Sequence, residues 1–407
     1  MKKLSKVAAC LLLTFLTVLP ANAAPPWTVA QAETLEDWIE RSSGEAIDLP
    51  EAIENDLRAS IAAGESAGLD LAARNAALEL MRAWRGRCCG ERKPAWWHID
   101  GALSDKQLLD GLDQALLTGT LDPFLRSIRP AHPDYSALAD AFSNEADPVR
   151  RTLLAKNLAR WRWLPPDLGE RYLLVNIAAQ KVSLWERGSM VLEWRVIVGK
   201  PATRTPVFTA RVTGVVLNPW WEIPSSIAAE GIARFVRRSP KAARARGYIY
   251  QNGRYRQMPG DNNALGRMKL EMPNPYTVFL HDTSNRELFT EPKRAFSHGC
   301  IRVDRAIEFA AVLLNDREWN IAAVESQVAS EKTITVPLAQ PIPLYVTYFT
   351  AGPDPEGSIR FYEDIYRRDG VNLPPASAQL STDVYGSQAV TAPVSLDTSV
   401  GAASCLS

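Results

Sequence analysis

Two textures divide this 407-residue chain, and together they predict an α+β protein: an N-terminal helical scaffold followed by a β-rich domain with short helices. Alanine- and leucine-rich stretches with scattered charges, Leu57 to Trp84 and Asp105 to Leu117, place apolar residues at helical spacing. From Tyr172 the pattern changes to short runs of Val, Ile, Leu and Trp separated by turn signals such as Arg187-Gly188-Ser189. A pair of short stretches near residue 300 then brings a cysteine and two histidines to the ends of strands.

Met1 to Ala23 reads as a signal peptide. Lys2, Lys3 and Lys6 form a basic start, Val7 to Leu19 an apolar stretch, and Ala21-Asn22-Ala23 a small-x-small cleavage site. The expected mature protein is exported, with no membrane anchor after the signal is removed, since no later run of 18 apolar residues exists. Basic and acidic residues number 46 each; without the three leader lysines the balance is 43 against 46. That excludes a strongly basic nucleic-acid binder.

Residues 24–165 are expected to form the helical scaffold, punctuated by Pro130, Pro133 and Pro148. A last helix runs toward Trp161 and Trp163, which lie two apart and so cannot share one helix face; one of them is expected to anchor the junction with the next domain. Residues 170–370 are expected to form the β-rich domain as packed sheets. Strands are predicted over Tyr172 to Ile177, Val182 to Glu186, Val191 to Val198 and Val207 to Leu217, the last broken by Asn218-Pro219. Helices are expected at Pro224 to Arg234 and Arg305 to Leu314, the second with Asp304 as N-cap. Leu344 to Phe349 and Ile359 to Ile365 read as a closing hairpin around Gly352 to Gly357. Residues 374–407 are uncharged for most of their length, rich in Ser, Ala, Thr and Pro, and read as a disordered tail.

The chemistry concentrates in two stretches. Tyr276-Thr277-Val278-Phe279-Leu280-His281-Asp282 alternates as a half-buried strand, with Thr277, Phe279 and His281 on one face. In Ser297-His298-Gly299-Cys300-Ile301-Arg302, Ile301 and Val303 suit a core face, which sets Cys300 and Arg302 together on the other. A thiol beside an imidazole is a nucleophile with its base, and a nearby imidazolium lowers the thiol pKa from its ordinary value of about 8.5. Gly299 lets the backbone turn and present N–H groups to an oxyanion. Two plainer readings stand beside this one. Cys300 and the histidines are core residues, or His281, His298 and Cys300 are zinc ligands, although paired ligand spacing is missing. No metal or other cofactor is expected.

Four cysteines follow the leader: Cys88, Cys89, Cys300 and Cys405. In an oxidising compartment an unpaired Cys300 would mark a reactive thiol. The adjacent Cys88 and Cys89 are expected as two small residues in a turn, with a vicinal disulfide or pairing elsewhere as alternatives.

His281 followed by Ser297-His298-Gly299-Cys300-Ile301-Arg302 resembles the signature of the L,D-transpeptidase (YkuD-type) catalytic domain, cysteine enzymes that cross-link peptidoglycan. Further stretches resemble its YcbB-like branch: Arg160-Trp161-Arg162-Trp163-Leu164-Pro165, Val196-Ile197-Val198-Gly199-Lys200, Thr205-Pro206-Val207-Phe208, Asn218-Pro219-Trp220-Trp221, Asn263-Ala264-Leu265-Gly266 and His281-Asp282-Thr283. The resemblance covers roughly residues 155–370. It implies acyl transfer in the periplasm. Cys300 attacks the carbonyl between the third and fourth residues of a stem tetrapeptide and releases D-alanine. His281 takes the thiol proton, and the acyl group passes to an amine, forming 3→3 cross-links. Asp282 is expected to orient His281 by its carbonyl or side chain, and His298 to tune the thiolate or support the loop. Ser297 and Trp220 are placed among substrate-binding or loop-supporting residues. So is Arg302, for which a structural ion pair is favoured over a substrate contact.

The segment 231–260 carries eight Arg and Lys residues and no Asp or Glu. By residue type alone it is a solvated basic face; the resemblance makes it a cap over the cleft, able to hold stem carboxylates. One departure is visible. Larger members of the branch carry a peptidoglycan-binding insertion in the scaffold, and the short distance from Tyr135 to Arg160 leaves no room for it. A hydrolase of the same fold and a non-catalytic wall-binding scaffold remain the rival readings.

Overall fold

The computed structural model describes residues 24–88, 92–101 and 103–371. The expected signal peptide and tail, with Cys10, Cys89 and Cys405, lie outside the described residues.

Seven helices come first: α1 Val29–Ser42, α2 Glu51–Ala63, α3 Ala67–Trp84, α4 Asp105–Thr118, α5 Leu121–Ile128, α6 Pro133–Asn144 and α7 Pro148–Arg162. Their starts follow from local chemistry. Thr28 with Gln31, and Ser104 with Gln107, form reciprocal capping boxes for α1 and α4. Ser66 and Asp147 cap α3 and α7 through their side chains. The apolar stripes of α1 to α5 meet in one core built on Leu35, Trp38, Leu69, Leu80, Trp84 and Leu112. Trp38 meets Trp84 edge-on at 5.5 Å between ring centroids.

Helices α6 and α7 belong to a different core. Tyr135, Leu138, Leu154, Leu158 and Trp161 bury their side chains with the strands that follow, so the core of α1 to α5 stops near residue 128 while the helical run continues to Arg162. Trp161 stacks between His132 (4.1 Å) and Phe349 (4.6 Å), while Trp163 meets Trp97 edge-on. Both tryptophans therefore hold the junction, each on its own side of the helix end. The junction is also polar. Arg160 and Asp369 form a buried ion pair, and Thr350 Oγ1 accepts from both Arg160 and Asn157 at 3.0 Å.

The β-rich part is one sheet closed on itself, not two packed sheets. Its strands are β2 Arg171–Asn176, β3 Lys181–Glu186, β4 Ser189–Gly199, β5 Val207–Leu217, β9 Met268–Glu271, β10 Leu280–His281, β12 Ile301–Val303 and β13 Ile334–Thr347. The order β5-β13-β2-β3-β4-β12-β10-β9 returns to β5, because β9 also pairs with β5. Two outliers extend it: β1 Trp97–His98, from the helical region, pairs in parallel with β5, and β11 Ala295–Ser297 pairs with β4. Closure removes sheet edges and leaves Val175, Leu184, Val196, Leu270, Leu280, Ile301 and Leu344 in one continuous apolar core. Helix α11 Ala306–Leu314 packs Phe309 and Leu313 into that core, and α12 Ile321–Ala329 follows.

Two expected details change. Leu344 to Thr347 pairs with β2 and β5 inside the main sheet, so it is not an arm of the closing hairpin. The hairpin lies further on, between β14 Ala351–Pro353 and β15 Ile359–Phe361, because Asn157 Oδ1 takes the Thr350 N–H and turns the chain there. Asp304 is not the N-cap of α11. That place falls to Arg305 in the left-handed region, while Asp304 accepts hydrogen bonds from Arg195 and from the Arg305 backbone.

Between β5 and β9 the chain builds a separate layer. Helices α8 Ser225–Ile227, α9 Ala233–Arg238 and α10 Pro240–Ala245 sit with a small sheet of β6 Trp221–Glu222, β7 Tyr248–Gln251 and β8 Arg254–Gln257. The helix expected over 224–234 is broken at Gly231, where φ reaches 152°. No helix among the described residues is long and apolar enough to cross a membrane.

Candidate active site

The strand predicted over 276–282 shrinks to Leu280–His281 because Asn274 reshapes the chain before it. Asn274 Oδ1 accepts from the backbone of Tyr276 and Val278, and its Nδ2 donates to the carbonyls of Met272 and Val278 at 2.8 Å. Thr277 is left with φ at 54°, a costly conformation for a β-branched residue. The alternation of faces survives this. Val278 and Leu280 are in the core, and Leu280 lies opposite Ile301 in the parallel pair of β10 and β12.

That register assembles the site. His281 pairs with Arg302, and the Ile301 N–H donates to Phe279 O at 2.9 Å. Strand alternation then turns Phe279 and His281 to the same side as Cys300 and Arg302. Cys300 Sγ accepts from the Phe279 N–H at 3.4 Å. The thiol and the imidazole are thus diagonal neighbours on adjacent strands.

Cys300 is 1% exposed and packs with Trp221, Ile223, Ile227 and Leu265. The underside of the 221–265 layer therefore covers it, and the exposed Arg234, Arg237, Arg238, Lys241 and Arg244 lie on the same layer. Trp220 is not part of that cluster: it lies under the Arg256 guanidinium, 4.4 Å from its centroid, and Trp221 is the tryptophan that meets Cys300. The condition of an unpaired Cys300 does not hold here, and Cys88 is not the simple small residue expected. Both sulfurs stand in disulfide linkage in this structure.

The loop before Cys300 is pinned from several sides. Gly299 has φ at 126°, a region closed to residues with a Cβ. Its N–H donates to Ser297 Oγ at 3.1 Å, so in this geometry it is engaged within the loop and not presented as an oxyanion donor. Ser297 Oγ in turn donates to Cys300 O. Thr205 Oγ1 donates to Gly299 O at 2.8 Å and accepts from the Gly199 N–H, and Tyr366 Oη donates to Gly199 O. Ser297 is therefore a loop support. Thr205, Tyr366 and Asn274 were not singled out as site residues. Tyr366, far along the chain, carries no local sign in the sequence, whereas Thr205 stands inside the Thr205-Pro206-Val207-Phe208 stretch.

His281 is 3% exposed, and its Nδ1 bonds to the backbone carbonyl of Asp282. A carbonyl only accepts, so Nδ1 carries a proton, and the Leu265 backbone favours the protonated ring as well. Burial, reinforced by Arg302, brings the His281 pKa down to about 3, against the opposing pull of the Asp282 and Leu265 backbone. With Cys300 in disulfide linkage, His281 is accordingly neutral, and no imidazolium stands beside the sulfur in this structure.

The Asp282 carboxylate faces away from His281. It accepts from the Arg267 N–H at 2.8 Å and pairs with Arg286. It also rests on Gly266, where φ is +62° and a Cβ would fall 2.4 Å from the carboxyl carbon. Asp282 thus orients His281 through its carbonyl and anchors itself through its side chain.

Arg302 is 6% exposed, and among the described residues no carboxylate lies within ion-pair distance of it. Burial lowers its pKa, with Glu287 acting the other way. The structural ion pair favoured from sequence is absent among these residues, and a buried cation remains beside the sulfur's strand face. His298 lies with Nε2 3.2 Å from Lys200 Nζ and 3.9 Å from Glu230. Among the described residues no group of three His, Cys, Asp or Glu side chains is arranged to hold a metal, so His281, His298 and Cys300 do not form the alternative zinc set.

Comparison with known proteins identifies two domains. The L,D-transpeptidase catalytic domain (YkuD) matches residues 170–328, and a scaffold domain matches residues 21–142. A Haemophilus influenzae protein, provisionally named an L,D-transpeptidase, is 33% identical over 237 residues, covering 53% of this chain and 48% of that one. The chain spans about half the length of this curated relative. Solved structures of an L,D-transpeptidase from Mycobacterium smegmatis (13% identity, 44% and 58% of the two chains, TM-score 0.25) and of Mycobacterium tuberculosis L,D-transpeptidase 1 (12%, 44% and 61%, 0.20) align weakly. At such scores the likeness carries no weight. Residues 170–328 thus carry an L,D-transpeptidase catalytic domain, with a scaffold domain ahead of it.

Proposed function

We propose that the protein is an exported peptidoglycan L,D-transpeptidase of the periplasm, of the YcbB-like branch, with Cys300 as nucleophile in its reduced form. The observation that supports this reading best is the parallel register of β10 and β12, with Phe279 N–H on Cys300 Sγ and His281 opposite Arg302. Cys300 attacks the carbonyl between the third and fourth residues of a tetrapeptide stem. The His281 imidazole receives the thiol proton as the C–S bond forms, then returns it to the departing D-alanine amine. An acceptor amine next attacks the thioester, His281 takes its proton, and the thiol is restored as the 3→3 bond closes.

Arg302 fits the carboxylate of a stem peptide. A buried guanidinium without an ion-pair partner is expensive, and a bound carboxylate would satisfy it with two parallel hydrogen bonds. The exposed arginines of the 221–265 layer suit the same polyanionic substrate at longer range. A hydrolase of this fold is the second reading, because the site is equally competent for water if no amine is admitted.

The test is product analysis. Reduced protein is incubated with a disaccharide-tetrapeptide and the products are resolved by mass spectrometry. D-alanine release with cross-linked dimers supports the transpeptidase. Release with only shortened monomers favours the hydrolase. Absence of both, with soluble folded protein, rejects the enzymatic reading.

A further inference from the structure

The two nitrogens of His298 stand in opposite circumstances. Nε2 lies within hydrogen-bond distance of Lys200 Nζ, with Glu230 of the covering layer further off at 3.9 Å. Nδ1 is buried and has no hydrogen-bond partner among the described residues. An ammonium has three N–H donors and no lone pair, so the imidazole must accept at Nε2. A neutral ring that accepts there carries its proton on Nδ1.

The surroundings disfavour a charged ring. Burial lowers its pKa, Lys200 and then Arg302 push the same way, and Glu230 pushes back. What remains is a buried N–H donor with no acceptor, two residues from the sulfur. Native folds leave few such donors unmet, because the lost hydration is not recovered. Where one persists beside a reactive group, a ligand atom is its natural complement.

We propose that Lys200 fixes the tautomer of His298, so that Nδ1–H donates to an oxygen of the bound stem peptide. His298 is then a substrate-contacting donor and Lys200 its positioning residue. Neither role concerns the proton shuttle of His281. The inference rests on the transpeptidase reading for the identity of the substrate, but not for the tautomer.

Two measurements on the reduced, full-length protein test it. The chain has four histidines, so imidazole 15N shifts can be assigned by subtracting the spectrum of a His298→Gln variant. Protonated Nδ1 in the wild type, giving way to a tautomer mixture in Lys200→Met, supports the inference; protonated Nε2 in the wild type overturns it whatever the activity. The second measurement is kcat/KM on the disaccharide-tetrapeptide. His298→Asn keeps an N–H near the Nδ1 position and His298→Gln keeps one near Nε2. The asparagine variant should exceed the glutamine variant by at least about tenfold, the effect of one properly placed hydrogen bond. Lys200→Met should fall by a similar factor, and Lys200→Arg should recover part of it. Equal activity in the Asn and Gln variants overturns the substrate contact and leaves His298 a loop support. A wild type that turns over no stem peptide, yet shows the Nδ1–H tautomer, contradicts the proposed function and upholds the part played by Lys200.

Discussion

The two apolar cores of this molecule treat polar groups in opposite ways. Around the helical core of α1 to α5, charged pairs such as Arg41–Asp37, Arg58–Glu54 and Arg126–Asp122 stay at the surface. The closed sheet instead buries His281, Asp282, Thr283, Ser297, His298 and Arg302 close together. Burying a polar group costs free energy unless partners are arranged for it. The helical core bears that cost at fewer places, Ser42, Glu45 and Arg85 among the described residues, and supplies support; the sheet gathers its buried polar groups around one point. Glu45 shows how such a group is accommodated. Glu45 binds Trp84, Arg129 and Tyr135, and so ties the first core to helix α6 of the second.

The contrast can be broken most severely at the base. His281→Gln should lower turnover by about 10²–10⁴-fold, the usual contribution of a positioned general base, while the near-ultraviolet circular dichroism stays native. A variant with near-normal turnover would remove His281 from the mechanism. Next comes the junction. Arg160→Met leaves Asp369 buried without its partner and should destabilise the protein by about 3–5 kcal/mol in urea unfolding, as breaking a buried pair does. A loss below about 1 kcal/mol would show that this pair does not hold α7 to the β-rich part.

Acid should expose a smaller difference. Burial brings both His281 and His132 down to about 3, so the unfolded chain binds more protons than the native one between pH 6.5 and about 3. The stability these neutral rings contribute is present above pH 6.5 and is lost as pH falls through that window. His132 lies between Trp161 and Trp185 with its Nε2 buried and without a partner among the described residues. His132→Phe should keep the stacking and flatten the fall of melting temperature across that range. An unchanged acid profile would count against the assignment. The smallest effect is expected at the surface: Arg41→Ala, which removes an exposed pair with Asp37, should alter unfolding free energy by less than about 1 kcal/mol.

The sequence showed which residues face which way near the sulfur because a strand's period of two is independent of its length. Ile301 and Val303 point to the core, Cys300 and Arg302 away from it, as alternation requires. Where sequence reading failed, the missing information was tertiary. Asn274 shortens the strand before His281 through four hydrogen bonds whose pattern has no periodic signature. Asp304 is a good N-cap by residue type, but Arg195 claims its carboxylate from a neighbouring strand. The ion pair expected of Arg302 depended on which carboxylates fold beside it, and the neutral state of His281 on how deeply it is buried. Likewise the partners of Gly199 and Gly299, Thr205 and Tyr366, come from distant parts of the chain.

The central claim is that Cys300 carries the acyl group. Intact-mass spectrometry of the reduced protein, wild type and Cys300→Ala, after mixing with a disaccharide-tetrapeptide tests it directly. The expected result is a wild-type adduct with the mass of the stem lacking its terminal D-alanine, mapped to the peptide containing Cys300, and none on the alanine variant, whose circular dichroism remains native. The same adduct on the variant, or stem turnover that survives the substitution, would contradict it.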